Sequence, residues 1–182
     1  MTNTENFSPQ RKATLDMAQV RSLCERLSVR LKAGDCVLLN GPLGSGKTQI
    51  VKFIATALGS NESVTSPTYG LANFYSSDSM PILHIDTYRL SSIDEFRQLG
   101  LDEYFDTHLT LIEWGDQVKV DFEDFLEIRI DFVDDAPDAG QQNDRRTIMF
   151  EWSGSRWGAL VDLLLAQNEN ISAEGQSAGN RS

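Results

Sequence analysis

Between positions 41 and 48 the chain reads Gly41-Pro42-Leu43-Gly44-Ser45-Gly46-Lys47-Thr48, which satisfies the full G-x-x-x-x-G-K-[ST] pattern. Each residue type in it has a physical task. Glycines let the backbone turn tightly with its N–H groups facing inward, a helix beginning near Lys47 adds a positive dipole end, and polyphosphate fills such a concavity. The Lys47 ammonium can bridge β- and γ-phosphates. The Thr48 hydroxyl can reach magnesium, a hard ion that keeps several waters and takes few protein ligands. Magnesium and an attacking water also need a carboxylate near the γ-phosphate. Asp86 closes the run ILHID and Glu113 closes LTLIE. If both runs are strands parallel to the one before the glycine loop, both acids emerge at the edge where the phosphates sit. One would hold the metal and the other would orient or deprotonate water; residue types alone do not divide the roles.

The chain contains no Asn-Lys-x-Asp run, the guanine-reading pattern of GTPases, so ATP is the favoured nucleotide. Trp114 could stack on a base or gate the site, although an aromatic residue beside a buried strand more often packs. Thr65-Ser66-Pro67-Thr68-Tyr69 is a hydroxyl-rich loop that could sense the γ-phosphate or could be an ordinary turn. His84, inside an apolar run, reads as a core histidine, and His108 as a surface loop residue.

These groups need a scaffold, and the hydrophobic pattern supplies one. CVLLN (36–40) is a continuous apolar run, as expected of a strand buried on both faces in a parallel sheet. Ile50, Val51, Ile54 and Leu58 have helical spacing, with Gly59 suited to the helix end. The order is therefore strand, glycine loop, helix. A further strand is expected at about 70–75, buried strands ending at Asp86 and Glu113, and a helical segment over 93–99. LEIRIDFV and RTIMFEW alternate or nearly so, as half-exposed antiparallel strands do. Leu15, Val20, Leu23, Cys24, Leu27 and Leu31 form one apolar helical stripe near the start, and Trp157, Leu160, Val161 and Leu164 form another near the end. The expected organisation is a polar segment at 1–13, a single α/β domain over 14–166 and a flexible polar tail at 167–182.

Composition narrows the function classes. The chain has 182 residues and a net charge of −11, which disfavours unaided binding to nucleic acid through its phosphates. No apolar stretch approaches the ~20 residues that cross a bilayer, and the start MTNTENFSPQ lacks the features of a secretion signal. A cytoplasmic protein is expected. Cys24 and Cys36 have no CxxC spacing and read as buried small hydrophobes. Nine acidic residues against Arg129 alone lie between Asp121 and Asp144. Such a block is either a docking surface for a basic partner or, more often, a solvated face.

Taken together, GPLGSGKT, SPTY, HIDTYRL and LIEWGD, in this order, resemble the TsaE (YjeE) family, small bacterial P-loop ATPases needed to make threonylcarbamoyladenosine on tRNA. The resemblance runs from about Thr14 to the last helix. It implies a P-loop NTPase-like three-layer sandwich whose central mixed sheet, a parallel core with antiparallel extensions, is flanked by helices. It implies that Gly41, Pro42, Leu43, Gly44, Ser45, Gly46, Lys47 and Thr48 bind ATP, that Thr48 and Glu113 hold Mg2+, and that Asp86 is essential for hydrolysis. Lys47, Asp86 and Glu113 are then the catalytic set. Thr68, with the rest of the 66–69 loop, and Trp114 join the nucleotide site. By position, Thr14 and Arg146 match family residues near the nucleotide, with Arg145 competing for the second assignment. Pro42 stands where an acid is common in the family, Gln49 where a second threonine is common, and the tail is an extension. Family members act with the TsaB and TsaD proteins, so tRNA would be served only indirectly.

Two other classes are compatible with a phosphate loop. A small-molecule or nucleoside kinase would need an arginine-rich lid, and only Arg97 and Lys119 are basic between Arg89 and Arg129. A nucleotide-dependent interaction switch would need ATP only to order the 66–69 loop.

Overall fold

The computed structural model describes residues 10–133 and 144–177, with side chains described as far as residue 167. Most of the predicted polar start, the tip of the acidic connector with Asp134, Asp135 and Asp138, and the last five residues of the predicted tail lie outside the described residues.

Seven strands form one sheet in the order β1-β7-β6-β2-β5-β4-β3. They are β1 (Gln10–Asp16), β2 (Cys36–Asn40), β3 (Ala72–Tyr75), β4 (Ile82–Asp86), β5 (Leu109–Glu113), β6 (Phe125–Phe132) and β7 (Arg145–Ser153). The strands β6, β2, β5 and β4 are mutually parallel, and β7, β1 and β3 add antiparallel edges. The helices are α1 (Met17–Ser28), α2 (Lys47–Ala57), α3 (Ile93–Arg97), α4 (Asp102–Phe105) and α5 (Trp157–Ser177).

Continuous apolar runs become the inner strands because both sheet faces are covered, and β2, β4 and β5 are buried at every position. On one face Val37, Leu39, Leu111, Ile128 and Phe150 pack under the apolar stripes of α1, α2 and α5. On the other, Leu38, Ile85 and Ile112 pack under Leu90, Phe96 and Val118. The result is the expected three-layer arrangement. Both cysteines are buried, and burial pushes the Cys24 thiol up to about 12.

Three local expectations are revised. The stretch QRKATLD, read as polar lead-in and helix start, forms edge strand β1, with Leu15 inside it; α1 begins only after Asp16. Asp16 accepts from Gln19 N while the Gln19 side chain accepts from Asp16 N, a reciprocal cap that fixes the helix start. The strand β6 is not an outer antiparallel strand alone, since it pairs parallel with β2 on one side and antiparallel with β7 on the other. Its alternation comes partly from Glu127, which is buried in a charge network, and from Arg129, which joins that network at its half-exposed edge. Finally, α5 continues to Ser177, beyond the predicted end near 166. Extending a helix already nucleated by packing needs only one hydrogen bond per added residue.

The β6 network starts at the end of the loop strand. Asn40 donates from Nδ2 to Glu127 (3.0 Å) and accepts at Oδ1 from Asp116 N (3.1 Å). Arg129 bridges Glu127 and Asp116, and Lys119 bridges Glu127 and Glu151. Burial works against the Lys119 ammonium, yet hydrogen bonds to Glu127 and Glu151 hold its pKa above the ordinary lysine value. Glu127 is 1% exposed and is tolerated there because several donors satisfy it. Within the acidic block, Asp121 is paired with Arg97 and Asp124 accepts from the Trp157 indole, so these acids serve internal contacts.

The loop leaves β2 at a position only glycine can occupy. Gly41 has φ +136°, and a Cβ there would stand 2.1 Å from the Ile130 carbonyl oxygen of β6. Gly41→Ala is therefore expected to cost about 3 kcal/mol or more of stability, because backbone rather than a side-chain tip must move. A urea-unfolding midpoint equal to that of the wild type would show that the two strands are not this closely apposed.

Candidate functional site

The glycine loop, the ends of β4 and β5 and the segment 66–68 surround a cavity of about 410 Å³. Its floor is the start of α2. Gly46, at φ 118°, precedes the helix without any side-chain cap, so the first-turn N–H groups are offered to the cavity. Added Cβ atoms at Gly44 or Gly46 would meet nothing within 4 Å, so space lies above both.

Lys47 is folded onto its own loop. Its Nζ donates to the carbonyls of Gly41 (2.8 Å) and Pro42 (3.0 Å) and lies 3.7 Å from the centroid of the Trp114 ring. Burial pulls the ammonium below the ordinary lysine range, opposed by the nearby carboxylates Glu113 and Asp86. Trp114 can cover it because it adopts a left-handed backbone at φ 61°, rare for a bulky residue. Its N–H donates to Leu39 O (2.8 Å) and its carbonyl accepts from the Thr87 hydroxyl (2.8 Å). Backbone strain of this kind persists only where surrounding bonds over-determine it.

The two strand-end acids stand side by side, Asp86 in register with Glu113 across the parallel β4–β5 ladder. Their surroundings differ. Glu113, 3% exposed, accepts at Oε1 from the Thr48 hydroxyl (2.7 Å) and from His84 Nε2 (3.0 Å). Asp86, 2% exposed, accepts at Oδ2 from Ser66 Oγ and Thr68 Oγ1 (both 2.7 Å), and at Oδ1 from Tyr88 N (3.0 Å). Glu113 is thus tied to the helix that carries the loop threonine, and Asp86 to the hydroxyl-rich segment.

Of the residues singled out in the sequence, the cavity lining includes Leu43, Gly44, Gly46, Lys47, Thr48, Thr68, Asp86, Glu113 and Trp114. Gly41 and Pro42 form the loop's stem and hold the lysine. Ser45 is buried with its hydroxyl unpartnered, and its carbonyl accepts from Arg146 Nε (3.1 Å), which brackets the loop from β7. Arg146 is therefore placed on the loop. Thr14 does not join this group: it is exposed on edge strand β1, opposite Thr147, and does not line the cavity. Tyr88, which lines the cavity and packs its ring 4.9 Å from Trp114, was not singled out; its position two residues after Asp86 was the available signal. The contact of His84 with Glu113 was missed as well.

Among the described residues no cluster of three or more His, Cys, Asp or Glu could hold a metal ion. The donors at the α2 start are the Thr48 hydroxyl and one carboxylate, a set that suits a hard ion retaining most of its waters. No helix among the described residues is long and apolar enough to cross a membrane.

A parallel core, a glycine loop running into a helix, and two acids at adjacent strand ends define a protein of the P-loop NTPase-like α/β class. The family model "Threonylcarbamoyl adenosine biosynthesis protein TsaE" matches residues 14–148. A TsaE from Streptomyces coelicolor is 38% identical over 152 residues, which span 81% of this chain and 99% of that one. A TsaE from Bacillus subtilis is 33% identical over 160 residues, 87% of this chain and 95% of the relative. The crystal structure of Bacillus subtilis YdiB superposes with a TM-score of 0.70 at 27% identity, covering 90% of this chain and 99% of that one. The chain belongs to the TsaE family, whose members are named for tRNA threonylcarbamoyladenosine biosynthesis.

Proposed function

We propose that the protein is a magnesium-dependent ATPase of tRNA threonylcarbamoyladenosine synthesis, weak alone and activated by the TsaB and TsaD proteins in the cytoplasm. The observation that carries this reading is the convergence of Lys47, Thr48, Asp86 and Glu113 on one cavity at an uncapped helix N-terminus. Anionic phosphates fit such a site, because the loop N–H groups, the dipole and the ammonium all favour negative charge there.

In this reading the Lys47 ammonium leaves the Gly41 and Pro42 carbonyls for the β- and γ-phosphate oxygens. Thr48 and Glu113 would hold magnesium, which when bound neutralises developing phosphate charge. Asp86 orients the attacking water and accepts its proton. The hydroxyls of Ser66 and Thr68 couple the 66–68 segment to that acid, so a partner pressing on the segment can complete or disturb the arrangement. Trp114 gates the loop and offers a ring face to the adenine. Catalysis then rests on positioning and electrostatics, with no covalent intermediate. The tRNA is reached only through the partners, in keeping with the net charge of −11.

The test is ATP hydrolysis by the purified chain, alone and mixed with TsaB and TsaD, with the Glu113→Gln protein as the blank. Strong stimulation that vanishes in the variant is expected. Absence of stimulation under conditions where the complex forms would overturn partner gating. Normal pathway output with Glu113→Gln would favour the nucleotide-dependent switch, and phosphate transfer to an acceptor instead of water would favour the kinase.

A further inference from the structure

His84 is an expensive residue for its position. It lies in the middle of β4 between Leu83 and Ile85, is 0% exposed, and leaves Nδ1 buried without a hydrogen-bond partner. An aliphatic side chain would fill the same place without burying a bare ring nitrogen, which costs about 1–3 kcal/mol. The imidazole's one assigned hydrogen bond among the described residues is Nε2 to Glu113 Oε1. An ionised carboxylate only accepts, so Nε2 is the donor there.

The geometry points to His84 as a positioning residue for Glu113: we propose that its Nε2–H holds the carboxylate in the orientation needed to receive magnesium with the nucleotide. This deepens the reading of the cavity as a magnesium–nucleotide site and rests on it. Two elements hold the same oxygen, Thr48 from α2 at 2.7 Å and His84 from β4 at 3.0 Å. One donor fixes a distance, whereas two donors arriving from different directions also fix the carboxylate plane. Both hydrogen bonds assigned to the Glu113 carboxylate among the described residues fall on Oε1, which leaves Oε2 as the oxygen to offer. Orienting partners of this kind alter metal affinity by about 10–100-fold when removed.

The experiment is ADP binding by calorimetry at a series of magnesium concentrations and in EDTA, for the wild type, His84→Leu, His84→Gln and His84→Asn. Folding of each is checked by circular dichroism. His84→Leu is expected to raise the magnesium concentration for half-maximal enhancement of binding by about tenfold, with binding in EDTA unchanged. His84→Gln, whose amide nitrogen reaches about as far as Nε2, is expected to recover most of this, and the shorter asparagine little. A purely structural role would shift stability in all three and leave the magnesium dependence alone. Unaltered magnesium dependence in His84→Leu, or equal behaviour of Gln and Asn should the leucine variant fail to fold, would overturn the inference. Wild-type binding indifferent to magnesium would overturn the functional reading, and this inference with it.

Discussion

Asp86→Ala is expected to lower partner-stimulated ATP turnover by about a thousandfold while changing ATP affinity by less than about threefold. The acid lies at the strand end next to Glu113 but makes none of the same contacts: its oxygens are taken by Ser66, Thr68 and the Tyr88 N–H. In the proposed reading it orients and accepts and does not grip phosphate, so its loss should fall on kcat rather than on binding. The alanine also releases the 66–68 segment, and Asp86→Asn separates the two contributions. Asparagine keeps a carbonyl oxygen to accept from the segment's hydroxyls but cannot take a proton. Equal losses in the two variants would assign the effect to the charge, and a milder loss in asparagine to the tethering. Steady-state hydrolysis with both partners present reads the outcome. Undiminished hydrolysis in Asp86→Ala would remove Asp86 from the reaction and leave Glu113 with both roles.

Lys47→Ala is expected to weaken ATP binding by about a hundredfold. Two charge-assisted hydrogen bonds to phosphate, each worth about 1.5–3 kcal/mol net, account for a loss on the order of 3 kcal/mol. The protein itself should tolerate the change. Removing the ammonium relieves the burial that depresses its pKa, while two carbonyls lose a donor and the Trp114 ring loses the cation beneath it. These effects oppose one another, so thermal unfolding should move little while calorimetric binding collapses. Affinity equal to that of the wild type would contradict the phosphate assignment.

How far the sequence alone reaches is visible in particular residues. The strand–loop–helix unit was legible because it is contiguous and chemically constrained at every step from Cys36 to Ile54. The acids at 86 and 113 were legible as the ends of unbroken apolar runs, since parallel strands place their C-terminal ends on one edge. β1 was not, because an edge strand with one side in water needs few apolar residues, and QRKATLD shows a helix-compatible leucine instead. β6 was misread for a different reason: Glu127 sits inside the protein, paired with Asn40 of β2, with Lys119 from the turn before β6, and with Arg129 two residues along its own strand. No local pattern distinguishes a satisfied buried glutamate from a solvated one. The same limit applies to His84, whose partner lies across the β4–β5 ladder, and to Trp114, whose left-handed backbone no residue preference announces.

The strand order has a consequence for how the molecule is made. β2 is hydrogen-bonded to β5 and β6, with Cys36 against Thr110 and Val37 against Leu126. β1 finds its partner only in β7, with Gln10 against Glu151. A chain emerging from the ribosome therefore releases the glycine loop before any strand that flanks it in the sheet has been synthesised. Non-local pairings of this kind carry the loop-closure entropy that slows folding. The loop is shaped by later residues: Ile130 backs Gly41, Glu113 receives Thr48, Trp114 covers Lys47 and Arg146 brackets Ser45. The part of the protein best suited to grasp phosphate is translated before the strands that flank it, and it acquires that competence only once β7 has been delivered.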